Sequence, residues 1–155
     1  MNTYALLKTL HILSAVLLVG TGFGTAYYFY FANRSGNVQA QAVVATLVVR
    51  ADWWFTTPAA IVQPLSGIAL AVMAGYPWSA TWMVAAVALY LLAGACWLPV
   101  LRLQHRMAQL ARDAAAQGRP LPPEYGRLAR SWERLGYPAF AAMIVVFWLM
   151  VAKPA

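Results

Sequence analysis

Four long apolar runs dominate the sequence, and the segments between them hold most of the polar residues. A helix of about 20 apolar residues crosses the roughly 30 Å of hydrocarbon in a bilayer. The runs are continuous and do not alternate with polar residues, so they predict spanning helices rather than spanning strands. The predicted spans are residues 4–31, 53–75, 82–101 and 137–152.

The segments that flank these spans are also predicted to be helical. The stretch SGNVQAQAVVATLVVR is typical of a helical lead-in to the second span. Residues 102–135 are amphipathic: the third helix continues to Gly118, GRPLPPE breaks it, and a short helix from Glu124 to Leu135 leads into the fourth span. We therefore predict an all-α fold, a single transmembrane domain over residues 1–155, built as a polytopic four-helix bundle with a cytoplasmic helical extension.

Composition and charge strengthen the membrane assignment and give an orientation. The chain is 63% hydrophobic and 10% charged, whereas a soluble domain carries about 25% charged residues. Of its eleven Lys and Arg residues, all but Lys8 and Lys153 lie in the segments after the first and third spans. The positive-inside rule then predicts a multi-pass protein of the bacterial inner membrane with periplasmic termini. Because the basic residues flank spans, the net charge of +7 does not indicate nucleic-acid binding.

The first span contains an ionisable pair in the stretch LLKTLHILSAVLLVG, where Lys8 precedes His11 by three residues. His11 lies roughly 10 Å from the membrane boundary at about 1.5 Å per residue. Ionisable groups inside a span are costly and usually face the bundle interior. Two interpretations stay open: a neutral histidine bonded to a neighbouring hydroxyl or carbonyl, or an axial ligand to haem or another metal, with Lys8 near a haem propionate.

A second ligand for such a metal is not obvious in the sequence. His105 lies beyond the opposite end of the third span, so it cannot share one iron with His11. Met143, at a similar predicted depth on the fourth span, and the same histidine of a second copy are the candidates. Gly20 and Gly24 lie on the helix face opposite His11 and predict close packing in a homo-oligomer.

Other polar residues near the second span have simpler expected roles. Gln63 lies near mid-membrane and must find a hydrogen-bond partner. Asp52 follows Arg50 closely and is expected to form an interfacial ion pair with it. Pro58 and Pro64 are expected to kink the span. With four acids in the chain and none well inside a span, the sequence argues against a carboxylate proton relay.

Several stretches together resemble a family of uncharacterised bacterial four-span inner-membrane proteins. They are LLKTLHILSAVLLVG, FTTPAAIVQPLSGIALAVMAG, WLPVLRLQHRMAQLA and the closing VAKPA. This family is distantly similar to HemJ-like protoporphyrinogen oxidases and to CopD-like membrane domains. HemJ-like proteins carry a similar Lys-x-x-His in their first span, where the histidine binds b-type haem, so the resemblance implies that role for His11.

The chain also departs from the HemJ-like pattern. It has GTAYYFYF where those proteins have a Pro-Arg pair late in the first span. It has TWMVAAVALYLLAGACW where they have His and Lys in the third span. The resemblance therefore implies haem ligation by His11 and not porphyrinogen oxidation.

The sequence-based hypothesis is an integral membrane protein that binds haem b through His11 for membrane redox chemistry. Lys8 and Met143 complete the predicted cofactor-binding residues, and a quinone or a redox protein would be the electron partner. If the protein is an enzyme, it is a haem-dependent membrane oxidoreductase. The alternatives are copper handling by His11 and methionines, and a cofactor-free structural or accessory subunit.

Overall fold

The computed structural model describes residues 2–154, and within them all regular structure is helical. Four helical stretches are long and apolar enough to cross a membrane, so the predicted all-α membrane fold is confirmed. The second stretch is one continuous helix that contains a π-helical turn. The elements are α1 (Thr3–Arg34), α2 (Val38–Ala51), the π turn (Asp52–Thr56), α3 (Thr57–Met73), α4 (Thr81–Ala116) and α5 (Pro123–Ala152).

Local sequence explains where several helices begin and end. Asn2 and Asn37 cap α1 and α2, since their side chains accept hydrogen bonds from backbone N–H groups two and three residues ahead. Gly75 and Gly118 follow α3 and α4 with φ of +68° and +59°. Only glycine adopts this left-handed conformation without steric cost, so each ends its helix. The amphipathic segment 124–135 and the fourth span form one unbroken helix, α5.

Pro58 accounts for the π turn between α2 and α3. Proline has no N–H, and its ring crowds the carbonyl four residues earlier, here that of Trp54. The chain inserts a wider turn at this point, in which the Thr57 N–H bonds to the carbonyl of Asp52, five residues back. The helix thereby continues through the proline instead of ending there.

Pro64 removes a second backbone hydrogen bond, and a neighbouring helix replaces it. The carbonyl of Ala60, four residues before Pro64, has no intrahelical N–H to accept from. The hydroxyl of Tyr90 on α4 donates to this carbonyl at 2.6 Å. Because no water is available inside the bilayer, this bond both satisfies the carbonyl and fixes α4 against α3.

The main core lies at the arginine-rich end of the bundle, where α2, α4, α5 and the last turns of α1 meet. Phe29 and Met107 are fully buried there, and the Phe29 ring packs edge-on against Trp132 at 5.1 Å between centroids. A smaller cluster at the opposite end joins α3, α4 and α5. Its buried members are Ala71, Trp82, Met83, Ala86 and Leu149.

Two ion pairs fasten the arginine-rich end. Arg34 bonds to both carboxylate oxygens of Glu133, at 2.9 and 3.3 Å. Arg106 likewise bonds to Glu124, at 2.9 and 3.1 Å. The Arg106 guanidinium holds the pKa of Glu124 below its usual range. Both pairs are solvent-accessible, so their main effect is to fix the orientation of neighbouring helices rather than to add much stability.

The outer surface of the four long helices is strongly apolar. Val16, Leu91 and Val151 expose 60%, 65% and 84% of their surface. Trp53 and Trp54, within the π turn, are also exposed, as expected of residues in an aromatic belt. A contiguous apolar surface of this extent is suited to lipid rather than water.

Candidate functional site

His11 lies between α1 and α3, and both of its ring nitrogens have protein partners. Nδ1 is 2.8 Å from Oγ of Ser66, and Nε2 is 3.2 Å from Nε2 of Gln63. The imidazole is half-buried, with one side in the helix interface. The structure places His11 in a hydrogen-bonded cluster of neutral side chains.

Ser14 and the backbone complete this cluster, which we call the His11 cluster: His11, Ser14, Gln63 and Ser66. The buried Ser14 hydroxyl lies against Oε1 of Gln63 and the carbonyl of His11, and the buried Ser66 hydroxyl donates to the carbonyl of Val62 at 2.7 Å. Since the Ser66 proton is used there, His11 Nδ1–H donates to Ser66. Nε2 then carries the lone pair that accepts from the Gln63 amide, a tautomer assigned from the network.

Gly67 allows the imidazole to lie close to α3. A Cβ at this position would be 3.1 Å from Cε1 of His11, closer than ordinary van der Waals contact. The ring therefore packs against the α3 backbone where there is no side chain. This close approach brings Nδ1 and Nε2 within reach of Ser66 and Gln63.

Helical spacing explains why three α3 residues meet one histidine. Residues three and four apart lie on the same helix face, and Gln63, Ser66 and Gly67 have this spacing. The expectation that the Gln63 amide finds a partner is met by His11 and Ser14. Ser66 was not singled out from the sequence; a serine one turn after a membrane glutamine was the available signal.

The structure does not bring the other predicted cofactor residues to this cluster. Lys8 is exposed one turn closer to the N-terminus. The contacts Phe23–Phe140 and Phe29–Trp132 set the register of the antiparallel helices α1 and α5. By that register Met143 lies opposite about residue 19, roughly two turns or about 12 Å further along α1 than His11.

The remaining sequence-predicted residues lie elsewhere. His105 is exposed near the arginine-rich end of α4, and its Nδ1 donates to the carbonyl of Leu101 at 2.9 Å. No atom outside the immediate helix lies within 4 Å of a Cβ placed on Gly20 or Gly24. Their face is open to lipid or to another helix, and the homo-oligomer stays a prediction.

The His11 cluster fits an axial metal ligand at one nitrogen and obstructs it at the other. The Nδ1–Ser66 bond is the outer contact that a ligating histidine requires. The Gln63 amide occupies the lone pair of Nε2, so this amide would have to turn away before a metal could bind there. Within residues 2–154, no group of three or more His, Cys, Asp or Glu side chains converges on a possible metal position.

The fold and this intramembrane cluster define a polytopic α-helical membrane protein. The profile of the family described as predicted integral membrane protein (DUF2269) matches residues 5–154. The chain belongs to this family, which agrees with the expected membership of an uncharacterised membrane family. No curated protein and no solved structure matches the chain.

Proposed function

We propose that the protein binds one b-type haem through Nε2 of His11, within the half of the membrane nearer the termini. The contact that carries this proposal is the 2.8 Å hydrogen bond between His11 Nδ1 and Ser66 Oγ. A metal-ligating histidine almost always donates its other ring N–H to a protein acceptor, which fixes the ring and raises the basicity of the ligating nitrogen. Ser66 is that acceptor.

Gln63 is the residue that gives way. Its contact with His11 Nε2, at 3.2 Å, is the longest side-chain hydrogen bond of the His11 cluster. Turning the carboxamide gives up this one hydrogen bond, at a cost of about 1 kcal/mol. A bond from the haem iron to Nε2 would replace it.

Lys8 has a supporting role. It lies one helical turn closer to the membrane surface than His11 and is exposed. A haem bound at His11 with its propionates toward that surface would pair one of them with the Lys8 ammonium. Bound haem would supply a one-electron couple, which exchange of electrons with a quinone or a redox protein requires.

A second candidate function is a cofactor-free helix clamp. It is favoured by a specific observation: every side chain of the His11 cluster has a partner within the cluster or the backbone. Polar bonds of this kind between membrane helices contribute about 0.6–2 kcal/mol each. In this case the cluster fixes α1 on α3 in a structural or accessory subunit.

Absorption spectra of the detergent-purified full chain, oxidised and dithionite-reduced, test the proposal. The protein is expressed with ample haem, alongside His11→Ala, Ser66→Ala and the matched controls His105→Ala and Ser131→Ala, both at exposed positions. We expect a Soret band with reduced α and β bands in the wild type and both controls. The bands are absent in His11→Ala and weakened in Ser66→Ala.

The contrary results identify the alternative. A flat visible spectrum in the wild type overturns haem binding. If His11→Ala then lowers the unfolding midpoint while His105→Ala does not, the helix clamp is supported. Copper at one ion per chain in metal analysis of the same wild-type sample, lost in His11→Ala, would instead support copper handling.

A further inference from the structure

Asp52 is buried at the π turn instead of pairing with Arg50. Only 5% of the surface of Asp52 is accessible, whereas the Arg50 side chain is exposed. In the part of the chain described, the ion pairs join Arg34 to Glu133 and Arg106 to Glu124. A carboxylate removed from water without a cation is costly unless other groups compensate it. The expected interfacial ion pair with Arg50 is therefore wrong, and Asp52 needs a different partner.

Two further buried polar side chains lie against this carboxylate. Thr56 is one turn along the same helix, and Gln104 comes from α4. Thr56 and Gln104 are 4% and 5% exposed. Thr56 and Gln104 are hydrogen-bonding neighbours of the carboxylate, yet Asp52 Oδ2, Thr56 Oγ1 and Gln104 Oε1 are all buried and none of them makes a hydrogen bond of ordinary length and angle. A turn of the Gln104 amide about its last bond would exchange its oxygen and nitrogen, so either atom can face this group.

These three oxygens have the chemistry of a hard-cation site. Carboxylate, hydroxyl and amide oxygens are the ligands that such cations take in proteins. The site carries one formal negative charge, so a monovalent ion neutralises it. A divalent ion would leave an excess positive charge in a region of low dielectric constant, which is unfavourable. His105 also acts electrostatically on the Asp52 carboxylate, and its Nδ1 is bonded to the Leu101 carbonyl.

The position of the oxygens also favours a binding role. They lie where the π turn joins α2 to α3, and π turns inside α-helices occur frequently at functional sites. The turn places Asp52 and Thr56 on the side that faces α4, while Trp53 and Trp54 face outward. We propose that Asp52, Thr56 and Gln104 bind a monovalent cation of the sodium class between the π turn and α4.

Thermal unfolding of the full chain in detergent tests this proposal. The midpoint is followed by tryptophan fluorescence at pH 8, while NaCl replaces choline chloride at constant ionic strength. A ligand that binds only the folded state raises the midpoint as its concentration exceeds Kd. We expect a rise of several degrees, about 3–6 °C, between 1 and 300 mM sodium. Asp52→Asn abolishes this rise, and the exposed control Asp113→Asn retains it.

Thr56→Val and Gln104→Leu keep the test decisive if Asp52→Asn does not fold. Each removes one oxygen ligand, so each is expected to shift the sodium dependence to at least several-fold higher concentration. Equal midpoints in sodium and choline at all concentrations overturn the proposal. So does a midpoint that rises with acidification equally in both salts and is insensitive to sodium, because a bound proton then satisfies Asp52.

Discussion

At the scale of single residues, the decisive feature is how closely His11 approaches α3. The imidazole touches the backbone at Gly67 and is bonded on both sides, so its position is determined by three α3 residues. Residue chemistry alone predicted a polar partner for His11 but not which one. The partner depends on which helix packs against α1, and that pairing is not encoded in the periodicity of either helix.

Gly67→Ala tests this contact. The added Cβ would lie 3.1 Å from His11 Cε1, so the ring must shift away from Ser66 and Gln63. We expect the free energy of unfolding to fall by about 1–3 kcal/mol, as for other overpacked sites, and His11-dependent ligand binding to weaken. Unfolding of the variant and the wild type in detergent measures the change in free energy.

Gly94→Ala, inside α4, is the matched control, because nothing lies within 4 Å of the added Cβ. It should leave the free energy of unfolding unchanged within about 0.5 kcal/mol or raise it slightly, since alanine favours a helix. Equal destabilisation by the two substitutions would show that the close approach of His11 to Gly67 has no energetic weight.

At the scale of elements, the apolar runs predicted the helices well, while the prolines had unforeseen consequences. The helix before the predicted second span and the continuation of the third helix past residue 101 both exist as predicted. The helix accommodates Pro58 with a π turn and Pro64 with a hydroxyl bond from Tyr90, while the expected kinks stay a prediction. Neither follows from sequence, because each depends on what a neighbouring helix supplies to a freed carbonyl.

Tyr90→Phe measures the bond at Pro64. Without the hydroxyl, the Ala60 carbonyl is left unsatisfied in the membrane, and we expect a loss of about 1–3 kcal/mol of unfolding free energy. Tyr137→Phe, at an exposed position, is the control.

A double-mutant cycle with Pro64→Ala makes the prediction specific. Alanine restores an N–H to bond with the Ala60 carbonyl, so Tyr90→Phe should cost less in that background. Additive losses would contradict the role assigned to Tyr90.

At the scale of the whole molecule, polar anchoring is concentrated at one end. The main core and both ion pairs lie at the arginine-rich end, whereas the His11 cluster connects α1 to α3 toward the termini. The charge distribution could be counted from the sequence. The uneven distribution of packing between the two ends of the bundle could not be predicted from the sequence, because it depends on how far each helix extends beyond the apolar surface.

Cysteine labelling tests the predicted orientation. In a Cys96→Ser background, Ser79→Cys lies in the α3–α4 loop and Gln117→Cys at the end of α4, and both positions are exposed. The positive-inside rule predicts that an impermeant maleimide labels position 79 in intact spheroplasts and position 117 only after lysis. The reverse pattern would place the termini in the cytoplasm.

The central claim is that Nε2 of His11 is a ligand position held by Gln63, and haem titration of Gln63→Ala tests it most directly. Removing the amide frees the lone pair, so the affinity for haem should rise about five- to tenfold over the wild type, the equivalent of one hydrogen bond. The Soret band must still vanish in Gln63→Ala with His11→Ala. Absence of haem binding in Gln63→Ala, together with a lower unfolding midpoint, would contradict the claim and leave the His11 cluster as a helix clamp.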